Sequence, residues 1–558
     1  MPQYLKYSII IILSSLLFIP FIGNVHLFDW DEINFAECAR EMIKSSDYVR
    51  AQIDFMPFWE KPPLFIWLQV FSMKLFGVGA FAARFPNAIM GVTTLTTLFY
   101  IGKKVVNEKM AIIWVLIYAA SWLPHFYFKT GIIDPTFNFF IFIAFYQIYL
   151  LGFAKKQFLH SMFSGLFLGL AILTKGPAAL LISILSFAVY LLLNKGLGTY
   201  KIKHLLLIAL FACIPFLAWL LFAILSYGFS YGNWFIHEFI SYQIRLFSTE
   251  DSDHGGPLYY HFVVLLLGCF PASCFLFASK QKHSSDPVIT KKFTEWMQVL
   301  FWVVLILFSI VKTKIVHYSS LCYFPLTFIA ALQIYRIEYE LLVIKKWVKI
   351  LILSLGSILA IIIALLPAVA LNKNLLLPYI NDPFAVGNLN ATVFWTYGEC
   401  LIGITYLIGI WIAVALLKKN IKKGFLVLFV LQITVIQICI LDFTPKIEAY
   451  TQKAAIVFYE KFQNKDVYIH PLNFKSYANL FYADKIPAQN KLYYQLDIKD
   501  KNNNKLQPQA NEQWLLNGNI DKPCYFVCKI QDTGMYISNK NLSRIATQNG
   551  FVFYERRQ

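Results

Sequence analysis

The residues best suited to chemistry lie in a short acidic stretch near the start of the chain, Phe28-Asp-Trp-Asp-Glu-Ile-Asn-Phe-Ala-Glu-Cys-Ala-Arg-Glu-Met42. From Ile33 to Ile43 apolar residues recur at helical spacing, which predicts an amphipathic helix lying on a membrane surface with Asp31 and Glu32 at its start. Asp31 then has two readings, a cap for the free N–H groups of that helix or a general base. Next comes Phe58-Trp-Glu-Lys-Pro-Pro-Leu64, where Pro62 and Pro63 can begin a second surface helix and hold Glu60 and Lys61 just ahead of it. Lys61 either snorkels beside a turn or grips a phosphate with help from helix N–H groups. Arg84 is a second phosphate ligand or an interfacial anchor. Asp134, before Pro135, is a helix cap or a second-loop acid. Lys175-Gly-Pro177 reads as a tight turn between helices in preference to a phosphate-binding site. Arg245 is a headgroup anchor or a bidentate phosphate clamp. Glu60 and His254, with Asp251 and Asp253, are hard-cation or zinc ligand types, but no ligand spacing marks a site, so a divalent metal stays open.

These residues belong to a chain that cannot be soluble. Hydrophobic residues make up 58% and charged residues 14%, and mean hydropathy is +0.57. Thirteen apolar segments, 5–22, 81–102, 110–127, 134–153, 158–174, 177–194, 205–227, 259–279, 295–311, 316–335, 348–371, 394–417 and 424–441, approach the length that a bilayer core requires. Lysines crowd alternate loops (Lys103, Lys104, Lys155, Lys156, Lys280, Lys282, Lys345, Lys346, Lys418, Lys419, Lys422 and Lys423 among them) and thin out opposite. This bias puts the N-terminus in the cytoplasm. The first segment resembles a signal peptide but has no convincing cleavage site, and the alternation needs it retained. The net charge of +18 sits mostly in cytoplasmic loops, where topology and anionic headgroups account for it, so nucleic acid is not an expected partner. The fold expected is a polytopic α-helical membrane domain over 1–441 and a small extracytoplasmic α/β domain over 442–558. That tail opens with a helical pattern at Ile447–Phe462, followed by β-like runs at Val467, Cys524 and Phe551. Nine scattered cysteines form neither a disulfide framework nor a zinc pattern, and Cys524 and Cys528, four apart on a strand, are too distant to bridge.

The acidic stretch from Asp31 to Met42, then Glu60-Lys-Pro-Pro-Leu64 and Phe76-Gly-Val-Gly-Ala-Phe-Ala-Ala-Arg-Phe-Pro86, resemble the N-terminal signature of one large group. It comprises the aminoarabinose (Ara4N) lipid A transferases and protein O-mannosyltransferase-like enzymes of the membrane-embedded GT-C class. The likeness continues through Ile133-Asp-Pro135, Leu173-Thr-Lys-Gly-Pro177, Arg245-Leu-Phe247, His254-Gly-Gly-Pro-Leu-Tyr-Tyr260 and Lys312-Thr-Lys-Ile-Val-His-Tyr318, covering residues 1–340. Ara4N transferases resemble Asp-Glu-x-Arg-Tyr-Ala-Glu where this chain has Asn34 and Phe35. Without that cation and hydroxyl, the transferred sugar and the acceptor stay open.

The resemblance implies inverting transfer of a sugar from a polyprenyl-phosphate donor to a lipid or glycan acceptor, lipid A-type or another envelope component, at the outer face of a bacterial inner membrane. By motif position Asp31 would be the base, with Glu32 beside it, and Asp134 the second acid. Lys61, Arg245 and Arg84 would hold the donor phosphate, and Tyr318, His317, Lys314 and Tyr260 would line the donor and acceptor pocket. No organic cofactor is implied. A transferase acting on protein Ser/Thr or another surface glycan is the alternative within the class. A flippase for lipid-linked sugars is the alternative outside it, but a flippase places its charges within spans, and here they stand in outer loops.

Overall fold

The computed structural model of the chain describes residues 2–28, 30–153, 155–196, 198, 200–248, 255–276, 286–340, 342–490, 493 and 510–557. Among the described residues helices fall within each of the thirteen apolar segments, several of them too short to cross a membrane alone. The first part of the chain forms α1 (Gln3–Phe18), α2 (Asp31–Ser45), α3 (Leu64–Phe76), α4 (Ala80–Val105), α5 (Glu108–Ala119), α6 (Trp122–Tyr127) and α7 (Asp134–Leu151). It continues through α8 (Gln157–Lys175), α9 (Ala178–Leu193), α10 (Ile202–Tyr227), α11 (Phe229–Ser248), α12 (Tyr260–Gly268) and α13 (Val288–Ile310). The remaining bundle helices are α14 (Tyr323–Tyr339), α15 (Lys346–Leu371), α16 (Pro383–Leu389), α17 (Cys400–Lys419) and α18 (Ile421–Ala449). Among the described residues seven helical stretches are both long and apolar enough to cross a membrane, including Ile202–Tyr227, Lys346–Leu371 and Ile421–Ala449. The protein is a polytopic helical membrane protein.

Small residues set a close crossing of α8 and α10. A Cβ at Gly165 or Gly169 of α8 would stand 2.5 Å from the Ile208 or Ala212 carbonyl of α10. Two glycines one turn apart therefore let these backbones touch, which is how helices pack where lipid supplies no hydrophobic drive. Helix α18 does not end at 441 as the apolar run does; it runs unbroken through Pro445 to Ala449.

Beyond it lie α19 (Lys453–Glu460), α20 (Ala478–Tyr482) and α21 (Ala510–Asn517). Two short strands, β1 (Gln52–Ile53) and β2 (Met56–Pro57), form a hairpin in the first outer loop, and the tail adds β3 (Tyr468–Leu472), β4 (Cys524–Lys529), β5 (Ser543–Gln548) and β6 (Phe551–Arg556). The tail sheet has the order β3-β4-β6-β5, with β3 parallel to β4 and the other pairs antiparallel. Alternation along the strands serves two cores. Tyr468, Leu472, Phe526 and Val552 pack under α21, while Ile469, Val527, Phe551 and Phe553 point the other way. Cys524 and Cys528 are free and buried.

That second face shares its core with the first outer loop, where Ile33, Ala36, Ala39 and Met42 of α2 meet Tyr459, Leu480 and Phe481 of the tail. Every residue of α2 from Glu32 to Met42 is buried. The surface helix expected from the amphipathic pattern is thus corrected: its polar face is covered by the tail domain instead of facing water. The buried charges are paired, as they must be. Arg40 donates to Glu37 at 2.8 and 2.6 Å and reaches Asp484 at 3.1 Å and the Lys485 carbonyl at 2.8 Å. Glu41 accepts from the Asp54 and Phe55 amides, both at 2.7 Å. Burial, with the Glu37 carboxylate next to it, pushes the Glu41 carboxyl well above its ordinary range.

Candidate active site

The local structure places four of the expected residues around one small cavity. Pro63 is the N-cap of α3, so the turn before it holds Glu60 and Lys61 as expected. Asp134 is the first residue of α7, with Pro135 next in the opening turn. Helix α8 ends at Lys175 because Gly176 adopts φ +88, and a side chain there would meet Gln243 at 3.1 Å. Glu60, Lys61, Asp134, Lys175 and Tyr318 line a cavity of about 220 Å³.

The carboxylates do not act as caps. Trp30 is the N-cap of α2 and Ile133 that of α7, and neither helix start has a side-chain cap bond. Asp134 instead binds Lys175 Nζ through Oδ1 at 2.6 Å, and His317 Nε2 stands 3.9 Å from its Oδ2. The same imidazole nitrogen is 3.7 Å from Asp31 Oδ2, beyond hydrogen-bond distance. His317 therefore lies between a buried carboxylate and a part-exposed one, since the side chain of Asp134 is 4% and that of Asp31 35% accessible. The Lys175 ammonium also lies 5.5 Å from the centre of the Tyr318 ring and 5.6 Å from that of Phe137. Lys61 has no hydrogen-bond or ion-pair partner among the described residues, and its charge reaches both Asp134 and His317.

Other expected site residues are spent elsewhere. Arg84 was expected to bind phosphate, but all five of its N–H donors are used inside the protein. Nε and one Nη2 bond go to Glu32 at 2.9 and 2.7 Å, and the rest go to the carbonyls of Ile22, Val25 and His26. Glu32, expected beside the base, is closed in the same way. It also accepts from the Phe28 and Gly131 amides at 2.9 and 2.5 Å. Burial opposes its charge, but Arg84 outweighs burial and holds the carboxyl below its ordinary range. This pair ties the start of α2 to α4 and to the turn before α7, and so fixes Asp31 relative to Asp134. Lys314 is not a pocket residue either: its ammonium takes the Phe308, Ser309 and Val311 carbonyls and caps the end of α13. Tyr260 packs against its neighbour His261 and does not line the cavity. The side chain of Arg245, and all of Asp251, Asp253 and His254, lie outside the described residues. Among the described residues no three His, Cys, Asp or Glu side chains group as metal ligands. Lys175 is the residue that sequence reasoning underrated: the Thr-Lys-Gly-Pro motif was visible, but a turn was preferred over a phosphate role.

Pro177 and Gln243 also line an adjacent apolar chamber of about 910 Å³ between α8, α9, α10 and α11, walled by Leu168, Ile172, Phe187, Phe216 and Ile244 among others. Charged groups at one end and an apolar chamber behind them suit an amphiphile whose anionic head lies at the membrane surface.

A helical membrane bundle with a sheet-bearing outer domain and charged outer-loop residues over an apolar chamber is the architecture of the GT-C class. The family model for dolichyl-phosphate-mannose-protein mannosyltransferase matches residues 60–219. The chain is 26% identical over 441 residues to the undecaprenyl phosphate-alpha-4-amino-4-deoxy-L-arabinose arabinosyl transferase of Pectobacterium carotovorum, covering 76% of this chain and 73% of that one. It is 28% identical over 320 residues to the protein of the same name from Shewanella sediminis, 56% of each. In fold it matches the crystal structure of ArnT from Cupriavidus metallidurans bound to undecaprenyl phosphate, with a TM-score of 0.75 and 17% identity over 99% of this chain and 98% of that one. The chain thus has the GT-C fold and is similar in sequence to aminoarabinose transferases and, over residues 60–219, to protein O-mannosyltransferases.

Proposed function

We propose that this protein transfers a sugar from a polyprenyl-phosphate donor to an acceptor at the outer face of a bacterial inner membrane, with inversion. One observation carries the reading: Lys61, Lys175 and Asp134 line one cavity, Asp31 stands across His317 from Asp134, and an apolar chamber sized for a lipid chain shares Pro177 and Gln243 with that cavity. The ammonium groups of Lys61 and Lys175 hold the donor phosphate, Asp134 aims Lys175, and Tyr318 supports that cation from its ring face. As the acceptor oxygen forms its bond to the anomeric carbon, its proton passes to the Asp31 carboxylate. The bond from that carbon to the phosphate oxygen breaks on the opposite face, and the electron pair leaves with polyprenyl phosphate. His317 Nε2 lies within 4 Å of both carboxylates, between Asp31 and Asp134. The lysine bias puts 442–558 in the periplasm, on the side of the cavity.

The undecaprenyl phosphate donor named in the curated relatives and the ligand named in the solved structure support the donor class. Asn34 and Phe35, both buried next to Asp31, replace the arginine and tyrosine of the Ara4N pattern, so a sugar other than aminoarabinose is open to this chain. The test is purified protein in detergent with polyprenyl-phosphate sugar and lipid A or a Ser/Thr peptide. Release of polyprenyl phosphate with matching product is expected. Transport of the donor across vesicles without release would replace the reading with a flippase.

A further inference from the structure

Among the described residues two line both the charged cavity and the apolar chamber, Pro177 and Gln243. Gln243 lies on α11, whose Phe239, Ile240 and Ile244 wall the chamber. Its Nε2 donates to the Trp59 carbonyl at 2.9 Å and to the Glu60 carbonyl at 3.2 Å. These carbonyls belong to the turn that carries Lys61. Helix α11 holds that turn a second time, since the Trp59 indole packs on Trp234 and Phe235 with ring centres 5.8 and 5.1 Å away. The far end of the amide faces the other lysine. A Cβ at Gly176 would stand 3.1 Å from Gln243 Oε1, so the glycine that follows Lys175 leaves the amide its room. One side chain therefore lies against the backbone next to both lysines of the cavity.

We propose that Gln243 is a positioning residue that sets the separation of Lys61 and Lys175, and with it the fit of the cavity to one phosphate group. This inference rests on the transferase reading above and adds to the donor site a residue that acts through its neighbours. The Lys61 turn needs such a partner. Pro62 and Pro63 have no N–H, so this stretch has few donors of its own with which to tie down its backbone. The Gln243 amide carries two N–H donors, which matches the two carbonyls it meets. A lysine ammonium is a compact charge on a flexible stem, so its reach is set by where its backbone is held. Asp134 aims Lys175 through a direct bond at 2.6 Å, and Gln243 does the equivalent for Lys61 by fixing the carbonyls ahead of it. The competing view is that the amide only packs α11 on the first outer loop.

The experiment measures Kd for polyprenyl phosphate, together with melting temperature, on full-length protein in detergent. The variants are Gln243→Met, Gln243→Glu, Lys61→Ala and the double change Gln243→Met with Lys61→Ala. Met fills a similar volume without N–H donors, and an ionised Glu keeps the shape but offers the carbonyls only acceptors. Either Gln243 change alone should weaken binding about three- to tenfold, the worth of a pair of neutral hydrogen bonds lost from the turn. In the Lys61→Ala background Gln243→Met should cost nothing further, because the residue acts through that lysine. Should Gln243→Met not fold, Gln243→Glu and its double with Lys61→Ala make the same comparison. Two results would overturn the assignment: wild-type Kd in the Gln243 variants, with or without a lowered melting temperature, or losses that add in full in the double variant. Wild-type protein that binds no polyprenyl phosphate would instead remove the donor reading, and this inference with it.

Discussion

Replacing Asp31 by Asn is the sharpest perturbation of this site, because geometry separates its chemical from its structural consequences. The carboxylate makes no cap bond to α2, and His317 Nε2, at 3.7 Å, is too far for a hydrogen bond. Among the described residues Asp31 makes no hydrogen bond, so the fold should lose less than about 1 kcal/mol, the range for part-exposed positions without a special role. Donor binding should hold as well, since Lys61 and the Lys175–Asp134 pair are untouched. What disappears is the proton acceptor. Loss of general base catalysis typically costs about 10²–10⁴ in rate, which is about 3–5.5 kcal/mol on the barrier. The assay is product formation at saturating donor, with donor Kd and melting temperature measured on the same preparation. Asp31→Glu should recover part of the rate. Glu32→Gln cannot serve as a neutral control, because it breaks the buried pair with Arg84. A well-folded Asp31→Asn protein that transfers sugar at near wild-type rate would refute the assignment.

Lys61→Ala should weaken donor binding about ten- to hundredfold, the worth of a charge-assisted bond of about 1.5–3 kcal/mol, read as Kd for the polyprenyl-phosphate sugar. Arg84→Ala should cost about 3–5 kcal/mol of stability by leaving Glu32 charged and buried, seen as lost folded yield in detergent; a simultaneous Glu32→Gln change should recover part of it. His26 lies between Glu448 at 2.6 Å and Glu460 at 3.2 Å; burial lowers its affinity for a proton, but the two carboxylates outweigh burial and raise it above 6.5. A raised folded value means this contribution is complete below about pH 6.5 and is lost as pH rises through the folded value. Protease resistance of the 442–490 region should fall over that interval, and His26→Asn should flatten the profile. Reporter fusions after Lys104, Lys156 and Lys422 should read cytoplasmic and fusions within 510–557 external, the pattern required by the lysine bias.

Much of the bundle was legible because each apolar run has one physical meaning: in lipid, only a helix satisfies every backbone group. Lys61 ahead of Pro62-Pro63 and Asp134 ahead of Pro135 were readable for a related reason, as proline fixes where the helix starts. Pairings between distant residues were not readable. Arg84 and Glu32 are 52 positions apart, and nothing in either motif says that the five donors of one will meet both oxygens of the other. Lys175 was passed over because Gly176 and Pro177 explain a turn by themselves; the carboxylate 41 positions earlier that turns it into a site residue is visible only in three dimensions. Strand β5 escaped notice because all six of its residues are exposed, so it has no apolar alternation to betray it.

The burial of α2 changes what the tail domain does in this architecture. An amphipathic helix on the membrane surface would leave Asp31 on a mobile element, and a base must be held to within fractions of an ångström of the proton it takes. Instead α2 is fixed at both ends by long-range contacts. At its start, the Glu32–Arg84 pair binds it to α4 and to the turn before α7. Along its length, Arg40 reaches Asp484 and the Lys485 carbonyl of the tail, and Lys44 reaches Asp484 at 2.7 Å. Lys485 and Tyr493 in turn bind Asp54 of the β1–β2 hairpin, both at 2.6 Å, which brings the hairpin under the same clamp. Buried charges of this kind are costly, and residues such as Glu37, Arg40 and Glu41 contribute little net stability over apolar replacements. Their value lies in specificity of position: a register error of one residue along α2 would leave several charges unpaired at once. These contacts hold α2, and with it Asp31, between the bundle and the tail domain, which on the reading proposed above gives the tail a positioning role.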